Sequence, residues 1–135
     1  MDRNIKKIYI EPSEDSPLIH LDKNNLIFDI SGPSYAADTY SVYQKVLDWL
    51  DEVNEINGKL KCKFDFSLLS SASHKMVFEI LLKLENLYNS GNDITVDWYY
   101  AQFDEDMLEV GEAFSETINL PFDFFPKDTK SFFRQ

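Results

Sequence analysis

The stretch over residues 60–87 constrains this chain most, because its pattern changes period within a few residues. Leu60, Cys62, Phe64 and Phe66 alternate with Lys61, Lys63 and Asp65; Ser67-Leu68-Leu69-Ser70-Ser71-Ala72-Ser73-His74-Lys75 follows; then Val77, Ile80, Leu81, Leu84 and Tyr88 recur at helical spacing. The first pattern reads as a strand with one buried and one charged face, the last as an amphipathic helix. A strand that passes into a helix so quickly puts the intervening hydroxyls at the surface, beside the N–H groups that a first helical turn leaves unpaired.

The other elements arrange themselves around that junction. Ile8 and Ile10 against Lys7 and Tyr9 indicate a short first strand, interrupted by Glu11-Pro12-Ser13-Glu14-Asp15-Ser16-Pro17. Leu18-Ile19-His20-Leu21 and Leu26-Ile27-Phe28-Asp29-Ile30 flank Asp22-Lys23-Asn24-Asn25, the pattern of a hairpin with a four-residue connection, and Ser31-Gly32-Pro33-Ser34 ends it. Tyr43, Val46, Leu47, Leu50 and Val53 predict a helix capped by Asp38 or Thr39 and stopped at Asn57-Gly58. Beyond the second helix, which Ser90-Gly91-Asn92 ends, Ile94, Val96, Trp98 and Tyr100 share one face of a strand.

Asp104-Glu105-Asp106 then leads a short helix through Met107, Leu108, Val110, Gly111 and Phe114. Gly111 costs such a helix about 1 kcal/mol relative to alanine, which points to close packing at that position. Leu120-Pro121-Phe122-Asp123-Phe124-Phe125-Pro126 adds a short edge strand, and the aromatic end Ser131-Phe132-Phe133-Arg134-Gln135 is expected to dock on the domain or else to be bound by a partner. The result is a single α/β (α+β) domain over residues 1–135, with the order β-β-β-α-β-α-β-α and an aromatic tail. Its sheet is mixed, its helices pack on that sheet, and its crossovers are right-handed.

Charge and motif content remove several functions. A net charge of −11 repels polyanions, so nucleic acid is not an expected partner. No apolar run approaches the roughly 20 residues of a membrane span, and Met1-Asp2-Arg3-Asn4 does not open a signal peptide, so a cytoplasmic protein is expected. The lone Cys62 falls on the inward face of its strand and reads as a small buried hydrophobe. His20 and His74 lie in different elements, and no HExxH, CxxC, GxSxG or glycine-rich phosphate loop occurs, so neither catalysis nor a cofactor is expected. Asp104, Glu105, Asp106, Glu109 and Glu112 lack the ligand spacing and central glycine of a calcium loop, and form a solvated helix face.

Ser70, Ser71 and Ser73 carry two readings. As caps, serines at a helix start contribute about 1 kcal/mol by accepting a hydrogen bond from an N–H two or three residues on. As phosphoacceptors they use the same geometry, because a phosphoryl group there lies beside free N–H donors, with His74 adjacent and Lys75 one turn beyond Ser71. Phe78 and Leu82 widen the apolar stripe of the same helix, either as core against a neighbouring helix or as a partner surface.

Three segments together extend the argument: Tyr35 with Tyr43-Gln44-Lys45-Val46-Leu47-Asp48-Trp49-Leu50, the junction Ser70-Ser71-Ala72-Ser73-His74-Lys75, and Glu105-Asp106-Met107-Leu108-Glu109-Val110-Gly111-Glu112-Ala113-Phe114. In order and spacing they resemble the SiaC family of bacterial regulatory phosphoproteins over nearly the whole chain. The resemblance implies a STAS-like layout, comparable to anti-sigma-factor antagonists, without catalysis of its own. It implies a protein kinase that phosphorylates the helix start and a metal-dependent protein phosphatase that reverses it. It also implies that the unphosphorylated form binds and activates a diguanylate cyclase, so that cyclic di-GMP and biofilm output follow the switch. Family members carry Asn-Thr-Ser-Ser before the lysine; anchoring on Lys75 puts the acceptor at Ser71. Ser70 stands in the asparagine position and Ala72 in a serine position, which keeps Ser70 and Ser73 as alternatives.

Two further functions fit the same residues. An anti-sigma-factor antagonist would carry an indistinguishable switch, and a small-molecule-binding or enzymatic domain would need a pocket drawn from Tyr35, Trp49, Trp98 or Tyr99.

Overall fold

The computed structural model describes residues 5–128; Met1-Asp2-Arg3-Asn4 and the expected docking of Ser131-Phe132-Phe133-Arg134-Gln135 lie outside them. Nine elements follow one another: β1 (Ile8–Ile10), β2 (Leu18–Asp22), β3 (Ile27–Ser34), α1 (Thr39–Glu52), β4 (Lys59–Leu69), α2 (Ser71–Asn89), β5 (Asp93–Ala101), α3 (Glu105–Thr117) and β6 (Phe122–Lys127). The six strands form one sheet in sequence order, β1-β2-β3-β4-β5-β6. β1, β2 and β3 pair antiparallel, and β3 through β6 pair parallel.

That order has a steric consequence. Each parallel strand lies beside the previous one, so right-handed crossovers carry all three helices to the same face. A single core cluster accordingly joins Ile19, Phe28, Phe64 and Trp98 of the sheet to Tyr43, Val46, Ile80, Leu84 and Phe114 of the helices. Phe64 stacks on Trp98 at 5.9 Å between ring centres, and Phe114 meets the same indole edge-on at 5.7 Å. The inward positions of β4 are the ones that the alternation predicts, and Cys62 among them is buried, with burial pushing its thiol pKa up.

Several boundaries differ from expectation, each for a local reason. β3 does not end at Ile30 but runs to Ser34, its parallel pairing with β4 surviving a register shift between Gly32 and Pro33. β4 extends to Leu69, three residues past the alternation. α1 stops at Val53, whose backbone is extended; Gly58, with φ +117°, instead serves the turn into β4, where the Leu26 side chain leaves no room for a Cβ. Leu26 itself, expected in the strand, takes the left-handed conformation that closes the hairpin. There Asn25 donates its backbone N–H and side-chain Nδ2–H to the Asp22 carboxylate at 3.2 and 2.7 Å, which holds that carboxyl below its ordinary pKa.

Among the described residues, the opposite face of the sheet has no helix on it. Lys63 Nζ lies 4.9 Å from the centre of the Tyr99 ring, Tyr99 stacks on Phe125 at 4.9 Å, and Lys127 pairs with Asp65 at 2.8 Å. Thr95 and Asp97, on the other face from Ile94, Val96, Trp98 and Tyr100, are nevertheless buried in β5, which is flanked by β4 and β6. The Asp97 carboxyl is held above its ordinary pKa mainly by desolvation, with Asp123, its partner in register, adding to the effect and Lys61 and Lys59 opposing it.

Two outcomes follow for stability. A Cβ at Gly111 would lie 2.5 Å from the Trp98 indole, whose Nε1–H is fixed at 3.0 Å on the Met107 carbonyl. Gly111→Ala should therefore destabilise the fold by about 1–3 kcal/mol through overpacking despite its better helix propensity, as a lower urea midpoint. A carboxyl with a raised folded pKa favours the fold below its unfolded value of 3.8 and loses that contribution as pH rises through the raised value. Asp97→Asn should therefore raise the thermal midpoint at pH 7, by a margin that shrinks on acidification into the carboxylate range.

Candidate functional site

One residue separates β4 from α2, and that residue, Ser70, does the capping. Its Oγ accepts the Ser73 N–H at 3.1 Å, its carbonyl accepts the His74 N–H at 2.8 Å, and its own N–H is donated to the Ser34 carbonyl at 2.9 Å. The N–H groups of Ser71 and Ala72 are left without a partner among the described residues, at the positive end of a helix of 19 residues.

The three serines differ sharply in surroundings. Ser73 is fully buried, Ser70 half-buried and Ser71 exposed. Around Ser73 Oγ lie Ser34 Oγ at 2.7 Å, Thr39 Oγ1 at 2.8 Å and Ser70 Oγ at 3.1 Å, and Ser34 Oγ lies 2.7 Å from Tyr43 OH. The directions follow from valence. Ser34 and Ser70 each donate to Ser73 Oγ and fill both its lone pairs, so the single Ser73 hydrogen goes to Thr39. Ser34 has then spent its hydrogen, so Tyr43 must donate to it. Burial, offset only in part by that bond, pushes the Tyr43 phenol pKa up and keeps it protonated for this purpose.

The cluster thus joins the end of β3, the start of α1 and the start of α2. Its members Ser34, Thr39 and Tyr43 escape sequence reasoning, because Tyr43 fits the apolar stripe of α1 and Thr39 reads as a cap. In the structure Asp38 occupies the N-cap position without a side-chain bond, and the Thr39 hydroxyl turns to Ser73 instead. A hydroxyl on a buried face in each of three segments is the signal that could have found them.

Two hollows flank the first turn of α2. A groove of about 490 Å³ on the α1 side is lined by Tyr40, Leu47, Ala72, Lys75 and Met76. A cleft of about 350 Å³ on the α3 side is lined by Leu68, His74, Asp104, Asp106 and Met107. Lys75 is exposed and forms no ion pair among the described residues, whereas the His74 ring packs against Phe114 at 4.7 Å. Phe78 and Leu82 are half-buried against the core, with Phe78 stacked on Phe114 at 6.3 Å. The large apolar residues exposed at the carboxyl edge of the parallel strands are others: Tyr35 follows β3, Tyr40 lies in the first turn of α1, Leu68 lies at the end of β4 and Phe103 follows β5.

The aromatic residues of the small-molecule reading are not brought together. Trp98 and Trp49 are core residues, Trp49 donating its indole N–H to the Lys6 carbonyl, while Tyr35 is exposed at the carboxyl edge and Tyr99 lies on the helix-free face. Among the described residues no group of three or more His, Cys, Asp or Glu is placed to hold a metal ion.

A family model described as SiaC family regulatory phosphoprotein matches residues 10–127. An uncharacterised protein of Pseudomonas aeruginosa strain UCBPP-PA14 is 26% identical over 117 residues, covering 85% of this chain and 92% of that protein. The fold is similar to apo-SiaC from Pseudomonas aeruginosa, with a TM-score of 0.78 at 22% identity over 89% of this chain and 98% of that one. It is also similar to a chain in the crystal structure of diguanylate cyclase SiaD in complex with its activator SiaC from the same organism. There the TM-score is 0.82 at 24% identity, over 89% of this chain and 99% of that one.

The hydroxyl cluster ranks two substitutions. Thr39→Val removes the acceptor for the Ser73 hydrogen and strands a buried donor, with an expected cost of about 1–3 kcal/mol. Tyr43→Phe removes a donor and leaves only a spare lone pair on Ser34, for about 0.5–1.5 kcal/mol. Chemical denaturation of the two variants should reproduce that order.

Proposed function

The chain belongs to the SiaC family of regulatory phosphoproteins, and from that premise we propose that it is a non-enzymatic partner switch phosphorylated at Ser71. The observation that carries the reading is the unequal state of the three serines. Ser73 is buried, the Ser70 hydroxyl is engaged as both cap and donor, and Ser71 is exposed with no partner among the described residues.

In the forward step the Ser71 Oγ bonds to the γ-phosphorus of a nucleoside triphosphate. The bond from that phosphorus to the bridging oxygen breaks, the diphosphate leaves, and the hydroxyl proton passes to a base of the protein kinase. A metal-dependent protein phosphatase reverses the modification with water. The added group carries nearly two negative charges, beside the free N–H groups of Ser71 and Ala72 and within one turn of Lys75, so it is held without refolding. It also changes the surface: those same donors are no longer open to a partner, and a charge stands among Tyr35, Tyr40 and Leu68. The unphosphorylated form is therefore the binder.

The effector is a diguanylate cyclase, by likeness to the Pseudomonas aeruginosa SiaC described as the activator of SiaD. Cyclic di-GMP and biofilm output then follow the phosphorylation state. The whole chain, residues 1–135, acts as one regulatory unit in the bacterial cytoplasm; among the described residues no helix is long and apolar enough to cross a membrane.

Incubation with the cognate kinase and ATP, followed by mass spectrometry, should put the phosphate on Ser71, and Ser71→Ala should abolish it. Modification confined to residues outside Ser70, Ser71 and Ser73 would sink the reading. Titration against a purified diguanylate cyclase from the same genome should show the phosphorylated form binding at least about tenfold more weakly, the scale set by one desolvated charge at an interface.

A further inference from the structure

We infer that Ser73 is a positioning residue that selects the phosphoacceptor, by holding the Ser70 hydroxyl out of the reaction; the inference rests on the reading that Ser71 is the site. Phosphoryl transfer makes two demands on a serine. Its Oγ must bring a lone pair in line with the γ-phosphorus of the nucleoside triphosphate, and its hydrogen must be free to leave to a base as the bond to the diphosphate breaks.

Ser70 fails the second demand while Ser73 is present, and its remaining lone pair sits on an oxygen held in place by the cap. Its hydrogen is donated to Ser73 Oγ at 3.1 Å, and one lone pair accepts the Ser73 N–H at 3.1 Å, so a single residue engages it twice. Ser73 cannot turn away, because its oxygen is also fixed by Ser34 at 2.7 Å and Thr39 at 2.8 Å. Being fully buried, Ser73 is itself beyond the reach of a kinase. Ser71 stands next in the chain, exposed, with no such engagement among the described residues. Two adjacent serines at one helix start are thereby made unequal by a third that never reacts.

The two engagements separate on substitution. Ser73→Ala removes the oxygen that receives the Ser70 hydrogen, yet keeps the backbone N–H that Ser70 caps, so the helix still begins at the same residue. Tyr43→Phe deletes a buried hydroxyl from the same cluster and leaves both Ser70 bonds in place. A loss of stability alone would affect both variants; a change of acceptor is specific to the first.

The test is phosphosite mapping of the full chain after treatment with the cognate kinase and ATP. Wild type and Tyr43→Phe should carry phosphate on Ser71, and Ser73→Ala should raise the share on Ser70 by about fivefold or more, the scale of one lost hydrogen bond. Where Ser73→Ala fails to fold, Ser73→Cys supplies a weak acceptor in the same place and should move the share in the same direction. A distribution in both Ser73 variants identical to wild type, with phosphate on Ser71 throughout, overturns the selection role alone. Phosphate on Ser70 in the wild type overturns it together with the assignment of Ser71.

Discussion

The geometry at the start of α2 depends on one buried oxygen. Ser73 Oγ receives hydrogens from the end of β3 and from the cap of α2, and gives its own to the start of α1. The start of α2 is thereby located by directional bonds against the end of β3 and the start of α1, 39 and 34 residues earlier in the chain. Apolar contacts could not do this alone, since they tolerate small slides, whereas a hydroxyl with two acceptor sites and one hydrogen admits a single arrangement of its neighbours. The exposed hydroxyl of Ser71 inherits its position from that arrangement.

The sheet supplies the frame. Because its strands follow one another in sequence order, the helices crowd one face and the strand ends of β3, β4 and β5 come to a common edge. That edge carries the exposed Tyr35, Leu68 and Phe103, with Tyr40 in the first turn of α1. Aromatic packing beneath it, from Phe64 through Trp98 to Phe114, keeps α3 close enough to the sheet that residue 111 has no space for a side chain.

Much of this was legible in the residues. The alternation of Leu60, Cys62, Phe64 and Phe66 and the helical spacing from Val77 to Leu84 are strong periodic signals, and both elements form as read. Gly111 in an otherwise helical pattern announced a close approach, although not that Trp98 makes it. Boundaries were harder, because they depend on partners: β3 persists through Gly32 and Pro33 only because β4 pairs alongside, and Gly58 answers to Leu26 rather than to the helix before it. The hydroxyl cluster was illegible for a different reason. Ser73 lies 39 residues from Ser34 and 34 from Thr39, and each member of the cluster has an adequate local explanation, so only the fold shows that they meet. The exposed apolar edge escaped for the same cause, since Leu68 reads as part of the junction and not as the end of a strand.

β6 closes the sheet at its far end, and its composition, Phe122-Asp123-Phe124-Phe125-Pro126-Lys127, would by itself be a template for a seventh strand. Pro126 withholds an N–H from the ladder, whereas the Lys127 ammonium is turned inward, onto Asp65 of β4. The edge that parallel growth would use is thus chemically unfriendly to another chain's backbone. Copies of this protein are thereby discouraged from zipping onto one another through that edge.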